Sequence, residues 1–295
     1  MARDGERLRG AGLVEAVAGP MKIIRYQNSD NHIFHAWQAA DGEYYDISGD
    51  IFGTWSATEE AADVAKVLAP VAPSGIFCIG LNYRRHAVET NAKIPDRPIL
   101  FFKGTNAVQN PGDPIFIPTF LASQEVDYEC ELAVVIGKSC KNVLRAHALD
   151  YVLGYTCAND VSARDWQIKW GGSQWCRGKT FDTFAPLGPC LVTTEEIANP
   201  NELPIRTILN GETMQESNTS DMIFDVPSII EFLSGSTTLL PGTVIFTGTP
   251  QGVGMARKPP RWLAPGDKVT IEIDGIGKLT NPVENEPAPM AETAP

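Results

Sequence analysis

The sequence predicts an α+β fold that is mostly β. Short apolar runs rich in Val and Ile recur along the chain, bounded by Gly, Pro, Asn and Asp, and such runs read as strands joined by turns. Segments with helical periodicity are few and short. Many strands with few helices between them favour a β-rich architecture with helices set apart.

The 295 residues suffice for one large domain, or one domain with a small partner. Residues 1–20 are rich in Arg, Gly and Ala. They lack the apolar core of a secretory signal, and Asp4, Glu6 and Glu15 disfavour a transit peptide, so they read as a disordered extension. Residues 21–72 read as a small N-terminal domain, with strands over 23–26 and 33–37 and a helix over 59–68 that stops before Pro70. The Pro-rich stretch 69–75 leads into a larger domain, 73–283. Strands are expected there over 76–79, 99–102, 115–117, 128–136, 152–157, 190–193, 205–209, 244–246 and 269–273. Asn210-Gly211 is a strong signal for a two-residue hairpin turn. Helices are expected over 161–170, ending at Gly171-Gly172, and over 226–233, with Pro227 in the first turn and Gly235 as the stop. The tail, 284–295, reads as disordered.

Hydrophobic residues make up 43% of the chain and charged residues 20%, the composition of an ordinary globular protein. The net charge of −12 argues against a nucleic-acid surface or an anionic membrane, both of which recruit Lys and Arg. No apolar stretch approaches the roughly 18–20 residues of a membrane span. The six cysteines form no C-x-x-C pair and several lie in apolar runs, which fits a reducing, cytoplasmic setting.

Candidate chemistry starts at Asp127-Tyr128-Glu129-Cys130-Glu131. Glu129 and Glu131 are two apart beside an apolar run, so on a strand they share a face. Like charges held together raise each other's pKa unless a cation neutralises them. Asp160, at the end of the 152–157 run, adds a third carboxylate, and an all-oxygen set suits Mg²⁺ or Mn²⁺. Spacing alone fits equally a salt-bridged pair on a half-exposed strand. His86 and Glu89 form an H-x-x-E pair, neighbours on a helical turn, in which the carboxylate orients a general base; a surface ion pair is the plainer reading. Lys179 is a lone cation among apolar and hydroxyl neighbours, suited to an oxyanion or to a snorkelling surface position. The loop Thr247-Gly248-Thr249-Pro250-Gln251-Gly252-Val253-Gly254 could hold a carboxylate on its backbone N–H groups or be a wide turn.

Taken together, Gly80-Leu81-Asn82-Tyr83 with His86 and Glu89, Asp127-Tyr128-Glu129-Cys130-Glu131-Leu132, Asn159-Asp160-Val161-Ser162-Ala163-Arg164-Asp165, Gly178-Lys179-Thr180-Phe181-Asp182 and Thr247-Gly248-Thr249-Pro250 resemble the fumarylacetoacetate hydrolase family over about 75–283. The 123–188 stretch, with Arg257-Lys258-Pro259-Pro260, is similar to its mitochondrial subgroup of domain-containing members that act on oxaloacetate. The resemblance implies a mixed β-sandwich roll with a small N-terminal domain, and a homodimer. It implies a Mg²⁺ or Mn²⁺ site of Glu129, Glu131 and Asp160, and an acid–base dyad of His86 and Glu89. It places Lys179 in the pocket, with Arg164, Gln167 and Thr249 on the substrate carboxylate. Asp127 shares the glutamates' face but is not a ligand in the family.

The implied function is metal-dependent hydrolysis of a C–C bond in a 2,4-dioxo acid, of acylpyruvate or fumarylpyruvate type, through a metal-bound enolate. The same site would serve oxaloacetate decarboxylation or keto–enol tautomerisation. A catalytically silent metal-binding scaffold is the rival, and the presence of both His86 and Glu89 weighs against it. The polar loop 90–98, with Pro95 and Pro98, is expected to close as a lid over a small 2-oxo acid.

Overall fold

The computed structural model describes residues 21–288, and the expected extension 1–20 lies outside them. The chain folds around one strand, Cys130–Ile136, in which all seven residues are buried. A strand covered on both faces is apolar throughout instead of alternating, which is why this run reads so plainly in the sequence. Antiparallel Val152–Asn159 flanks it on one side and antiparallel Thr243–Phe246 on the other. From there the main sheet continues through Gly75–Gly80 to Ile99–Lys103 in one direction, and through Ala185–Thr193 to Lys22–Gln27 and its neighbours in the other. A second sheet of Glu212–Asn218, Pro204–Leu209, Lys268–Ile273, Gly277–Asn285 and Ile115–Ile117 packs against strands Cys130–Ile136 and Val152–Asn159.

Two pairings assemble the site. The register Cys130↔Asn159 and Glu131↔Ala158 brings Asp160, one residue past its strand, beside the glutamates, and the Asp160 N–H donates to the Glu129 carbonyl at 2.9 Å. Thr243–Phe246 runs parallel to Gly75–Gly80, with Phe246 opposite Cys78. The loops that follow these two strands therefore leave the sheet on the same edge, where open sheets with parallel strands place their ligands. Asn82 ties them together. Its side chain, fully buried, donates to the carbonyls of Thr247 (2.7 Å) and Phe224 (3.0 Å) and accepts from the Phe224 N–H.

The expected core strands are present, except that the one expected over 128–136 begins at Cys130, leaving Glu129 in the gap after Val126–Asp127 rather than on the strand of Glu131. Asn210 and Gly211 both take positive φ, 52° and 88°, as a hairpin turn of mirror-image type requires. Helix Val226–Ser234 starts at Asp225, whose carboxylate accepts from the Ser228 N–H at 2.9 Å, with proline in the first turn.

Three expectations change. The helix expected over 59–68 is instead the edge strand Trp55–Ala61 and the short strand Lys66–Leu68. A ten-residue helix has little stability of its own, and pairing with Tyr44–Gly49 and Lys22–Gln27 buries Ala57 and Leu68, so packing overrides the Glu/Ala propensity. The helix expected over 161–170 is a two-residue strand, Ser162–Ala163, followed by one wide turn, Asp165–Lys169. Pairing of Ser162 with Asp127 takes the chain out of the helical region, and the Asp165 carboxylate binds the Ser123 hydroxyl and the Gln124 and Trp166 N–H groups. The tail expected to be disordered from 284 begins inside strand Gly277–Asn285, whose Glu284 and Asn285 pair with Phe116 and Ile117; 289–295 lie outside the described residues.

Residues 21–72, expected as a small domain, extend the main sheet through Lys22↔Val192 and Ile23↔Leu191. All six cysteines are free, and among the described residues no helix is long and apolar enough to cross a membrane.

Asn82→Ala strands buried carbonyls without donors, so it should lower stability by about 1–3 kcal/mol in urea denaturation. An unchanged midpoint would show that water replaces the amide.

Candidate active site

Glu129, Glu131 and Asp160 offer carboxylate oxygens that all lie within 4.8 Å of one another, and each residue is at most 5% exposed. Burying three acids at one point demands compensation. Lys179 Nζ donates to Glu129 Oε2 and Asp160 Oδ2, both at 2.7 Å. Lys103 Nζ donates to Asp160 Oδ1 at 2.5 Å and to the Val161 carbonyl at 3.0 Å. Arg164 spans Glu129 Oε1 (2.6 Å), Asp127 Oδ2 (3.0 Å) and Gln167 Oε1 (2.9 Å). Asp127 in turn accepts from the Gly254 and Met255 N–H groups.

Four buried carboxylates thus face three buried cations. The deficit falls on Glu131, whose carboxylate accepts only the Gly248 N–H, at 2.7 Å, and forms no ion pair among the described residues. Burial first, then repulsion from Asp160 and Glu129, pushes its pKa far above the usual carboxylate range. Burial also works against ionisation of Glu129, but Arg164 and Lys179 outweigh it and hold that carboxyl below its usual range. Burial opposes the charge on Lys179 as well, and Asp160 and Glu129 outweigh it, so the ammonium is held firmly protonated. An uncompensated carboxylate where three acids converge, with oxygen donors only, is the arrangement that a hard divalent ion completes. The residues fit such an ion, and Glu129, Glu131 and Asp160 would hold it.

Helix Arg84–Glu89 delivers the dyad. His86 Nδ1 lies 3.1 Å from Glu89 Oε2, and Glu89 Oε1 accepts from the Gly252 N–H at 2.8 Å. A carboxylate can only accept, so Nδ1 carries the proton and Nε2 offers its lone pair. Glu89 is thereby anchored to the 247–254 loop, whose other end supplies Gly248 to Glu131.

A cavity of about 240 Å³ unites these groups. Eight of the nine residues singled out from sequence line it: His86, Glu129, Glu131, Asp160, Arg164, Gln167, Lys179 and Thr249. Glu89 stands behind His86. The Thr249 hydroxyl donates to the Cys130 carbonyl and accepts from Gln215 Nε2. Thr90 and Ala92, at the start of the expected lid, line the cavity too.

Sequence reasoning missed Lys103, whose signal is a lysine closing the apolar run Ile99–Lys103 where a surface strand would alternate. It assigned no role to Asn159, which lies in the motif around Asp160 and accepts the Glu129 N–H at 3.0 Å, and it missed Gln215, which joins the Cys130 N–H to Thr249 and which nothing local in the sequence marks.

Comparison with known proteins turns this geometry into a family. The family model "Fumarylacetoacetate (FAA) hydrolase C-terminal" matches residues 75–284. The chain belongs to the fumarylacetoacetate hydrolase family. It is 52% identical over 218 residues to "Oxaloacetate tautomerase fahd2, mitochondrial" of Xenopus laevis, covering 74% of this chain and 68% of that protein. It is 50% identical over 228 residues to "Fumarylacetoacetate hydrolase domain-containing protein 2 homolog" of Dictyostelium discoideum, covering 74% of each. Among solved structures, a 5-carboxymethyl-2-hydroxymuconate delta-isomerase from Mycobacterium smegmatis superposes with a TM-score of 0.79 at 38% identity, over 90% of this chain and 100% of that one. The fumarylacetoacetate hydrolase from Exiguobacterium antarcticum gives 0.80 at 34% identity, with the same coverage. The α+β, mostly β fold expected from sequence is the fold of this family.

Mn²⁺ or Mg²⁺ should raise the melting temperature, by the equivalent of about 2.7 kcal/mol at a hundredfold excess over Kd. A carboxyl with a raised pKa keeps its proton to higher pH, and ion binding expels it. Affinity should therefore rise with pH by about tenfold per unit until Glu131 ionises on its own. Calorimetry in two buffers of different ionisation enthalpy reads the proton release, and Glu131→Gln should abolish it. Ion binding with no proton released would contradict the charge deficit.

Proposed function

We propose that the protein is a divalent-metal-dependent enzyme that interconverts the keto and enol forms of a small 2-oxo acid of the oxaloacetate type. The observation that carries this reading is the meeting of the carboxylate trio, His86 and Lys179 in one cavity. Relatives at about 50% identity are named oxaloacetate tautomerases, and the structural neighbours include isomerases, which favours proton transfer over the hydrolysis ranked first from sequence.

A bound Mg²⁺ or Mn²⁺ would supply Lewis-acid polarisation of the 2-oxo group. His86 Nε2 takes a proton from C3, and Glu89 stabilises the imidazolium that results. Lys179 has one N–H beyond its two carboxylate bonds to offer the oxygen on C2 as charge develops there. Return of the proton to that oxygen gives the enol, and the reverse steps give the ketone. Arg164 holds Asp127, Glu129 and Gln167 in place, and through Gln167 it borders the position of the substrate carboxylate.

C–C hydrolysis of a 2,4-dioxo acid is the second reading, supported by the similarity to a fumarylacetoacetate hydrolase and by a histidine able to activate water. A homodimer belongs to the proposal, supported by the exposed aromatic side chains of Phe120 (83%) and Trp170 (58%). The free, mostly buried cysteines support a reducing compartment, and the word mitochondrial in the relatives' names draws that proposal away from the cytoplasm specifically.

The test follows oxaloacetate tautomerisation and acylpyruvate cleavage spectrophotometrically, with EDTA, Mg²⁺ or Mn²⁺. EDTA should abolish tautomerisation. His86→Ala should lower kcat by about 10²–10⁴-fold while preserving the metal-induced rise in melting temperature. A full rate in that variant would remove His86 from the reaction, and cleavage outpacing tautomerisation would promote the second reading.

A further inference from the structure

The cavity lining has two chemical characters. The acids, Lys179, Arg164 and His86 make up the polar end. Leu81, Ile99, Phe101, Ile168, Trp175 and Met255 line the same cavity with apolar side chains, and Phe101 and Trp175 adjoin each other next to Lys179, forming the apolar end. The lining cations are Arg164 and Lys179, and both are committed at the polar end: each Arg164 nitrogen already serves a side-chain oxygen, and Lys179 joins two carboxylates. A second carboxylate on the substrate, placed at the apolar end, would lose its water and meet no cation there.

The apolar wall is a built feature. A Cβ on Gly80 would stand 2.2 Å from Trp175 Cζ3, so glycine at this position is what admits the indole. Trp175 packs edge-to-face on Phe101, with centroids 5.6 Å apart and planes at 66°. The Phe101 ring in turn lies 5.0 Å from Lys179 Nζ, so the wall begins where the reacting end stops. Trp175 also immediately precedes the single turn Cys176–Lys179 that presents the ammonium.

We propose that this wall is a tail site, at which the protein prefers 2-oxo acids bearing a flat, uncharged apolar group beyond C3, and that Trp175 determines that preference. This rests on the 2-oxo acid chemistry proposed above and adds the class of tail. The favoured substrates are then aryl-substituted 2-oxo acids, with oxaloacetate accepted as a small member of the range.

Stable 2-oxo acid mimics test it without turnover. N-phenyloxamate and N-oxalylglycine share the head group and differ in carrying a phenyl ring or a carboxylate as tail. Calorimetry on the full-length, Mn²⁺-loaded protein should show N-phenyloxamate binding about tenfold more tightly or better, the effect of burying one ring. Trp175→Ala should weaken N-phenyloxamate by about tenfold and N-oxalylglycine by less than about threefold. Ile168→Lys, at an exposed position that tolerates a long side chain, should narrow or reverse the preference by giving the carboxylate a partner. Equal binding of the two mimics, a preference for N-oxalylglycine, no binding of either, or equal weakening of both in Trp175→Ala would overturn the proposal. Selective binding without any tautomerase turnover would support the tail site while refuting the proposed reaction.

Discussion

One buried carboxylate without a counter-charge organises this molecule. Glu131 sits at the start of the most deeply covered strand, beside two acids that lysines and an arginine already neutralise. An isolated charge in such a place is costly, and the chain offers it a single backbone N–H. Everything around Glu131 restricts the ways in which that cost can be met. Lys103 is bound to Asp160 and to the Val161 carbonyl, and Arg164 is pinned between Asp127 and Glu129. What remains is a proton or a doubly charged ion. The site is thus poised by its own electrostatics, with the choice between them set by pH and metal supply.

Secondary structure delivers that arrangement with little local help. Glu129 lies in a gap between the strands Val126–Asp127 and Cys130–Ile136, yet the Asp160 N–H and the Asn159 side chain fix its backbone. The dyad is held in a similar way. Helix Arg84–Glu89 is six residues long, too short to be stable alone, and it is held by Glu89 to Gly252 and by Asn82 to the loop beyond Phe246. Side chains on such short elements keep their position because polar contacts from distant loops hold them.

Legibility in the sequence followed the range of the forces involved. The strand expected over 128–136 was readable because residues 132–136 are apolar without a break, and Asn210-Gly211 because a mirror-image turn selects those two residue types. His86 and Glu89 were readable because helical spacing alone makes them neighbours. Lys103 and Gln215 were not, since their roles arise only when strands remote in sequence pair. The 59–68 segment misled because its alanines and glutamates favour a helix locally, whereas the sheet edge offers it partners that a local pattern cannot show. The apolar half of the cavity was equally hidden, because Gly80 and Trp175 meet only through the fold.

The parallel pairing of Thr243–Phe246 with Gly75–Gly80 has a consequence for how the protein comes into being. Parallel neighbours so far apart along the chain close a long loop, and such contacts form slowly. During synthesis the acids of the 127–160 segment emerge well before the strand whose following loop caps Glu131 and anchors Glu89. Strand Thr243–Phe246 lies between Cys130–Ile136 and Gly75–Gly80 in the sheet and is made after both, so the loop that caps Glu131 cannot take its place until the acids it closes over have already been synthesised.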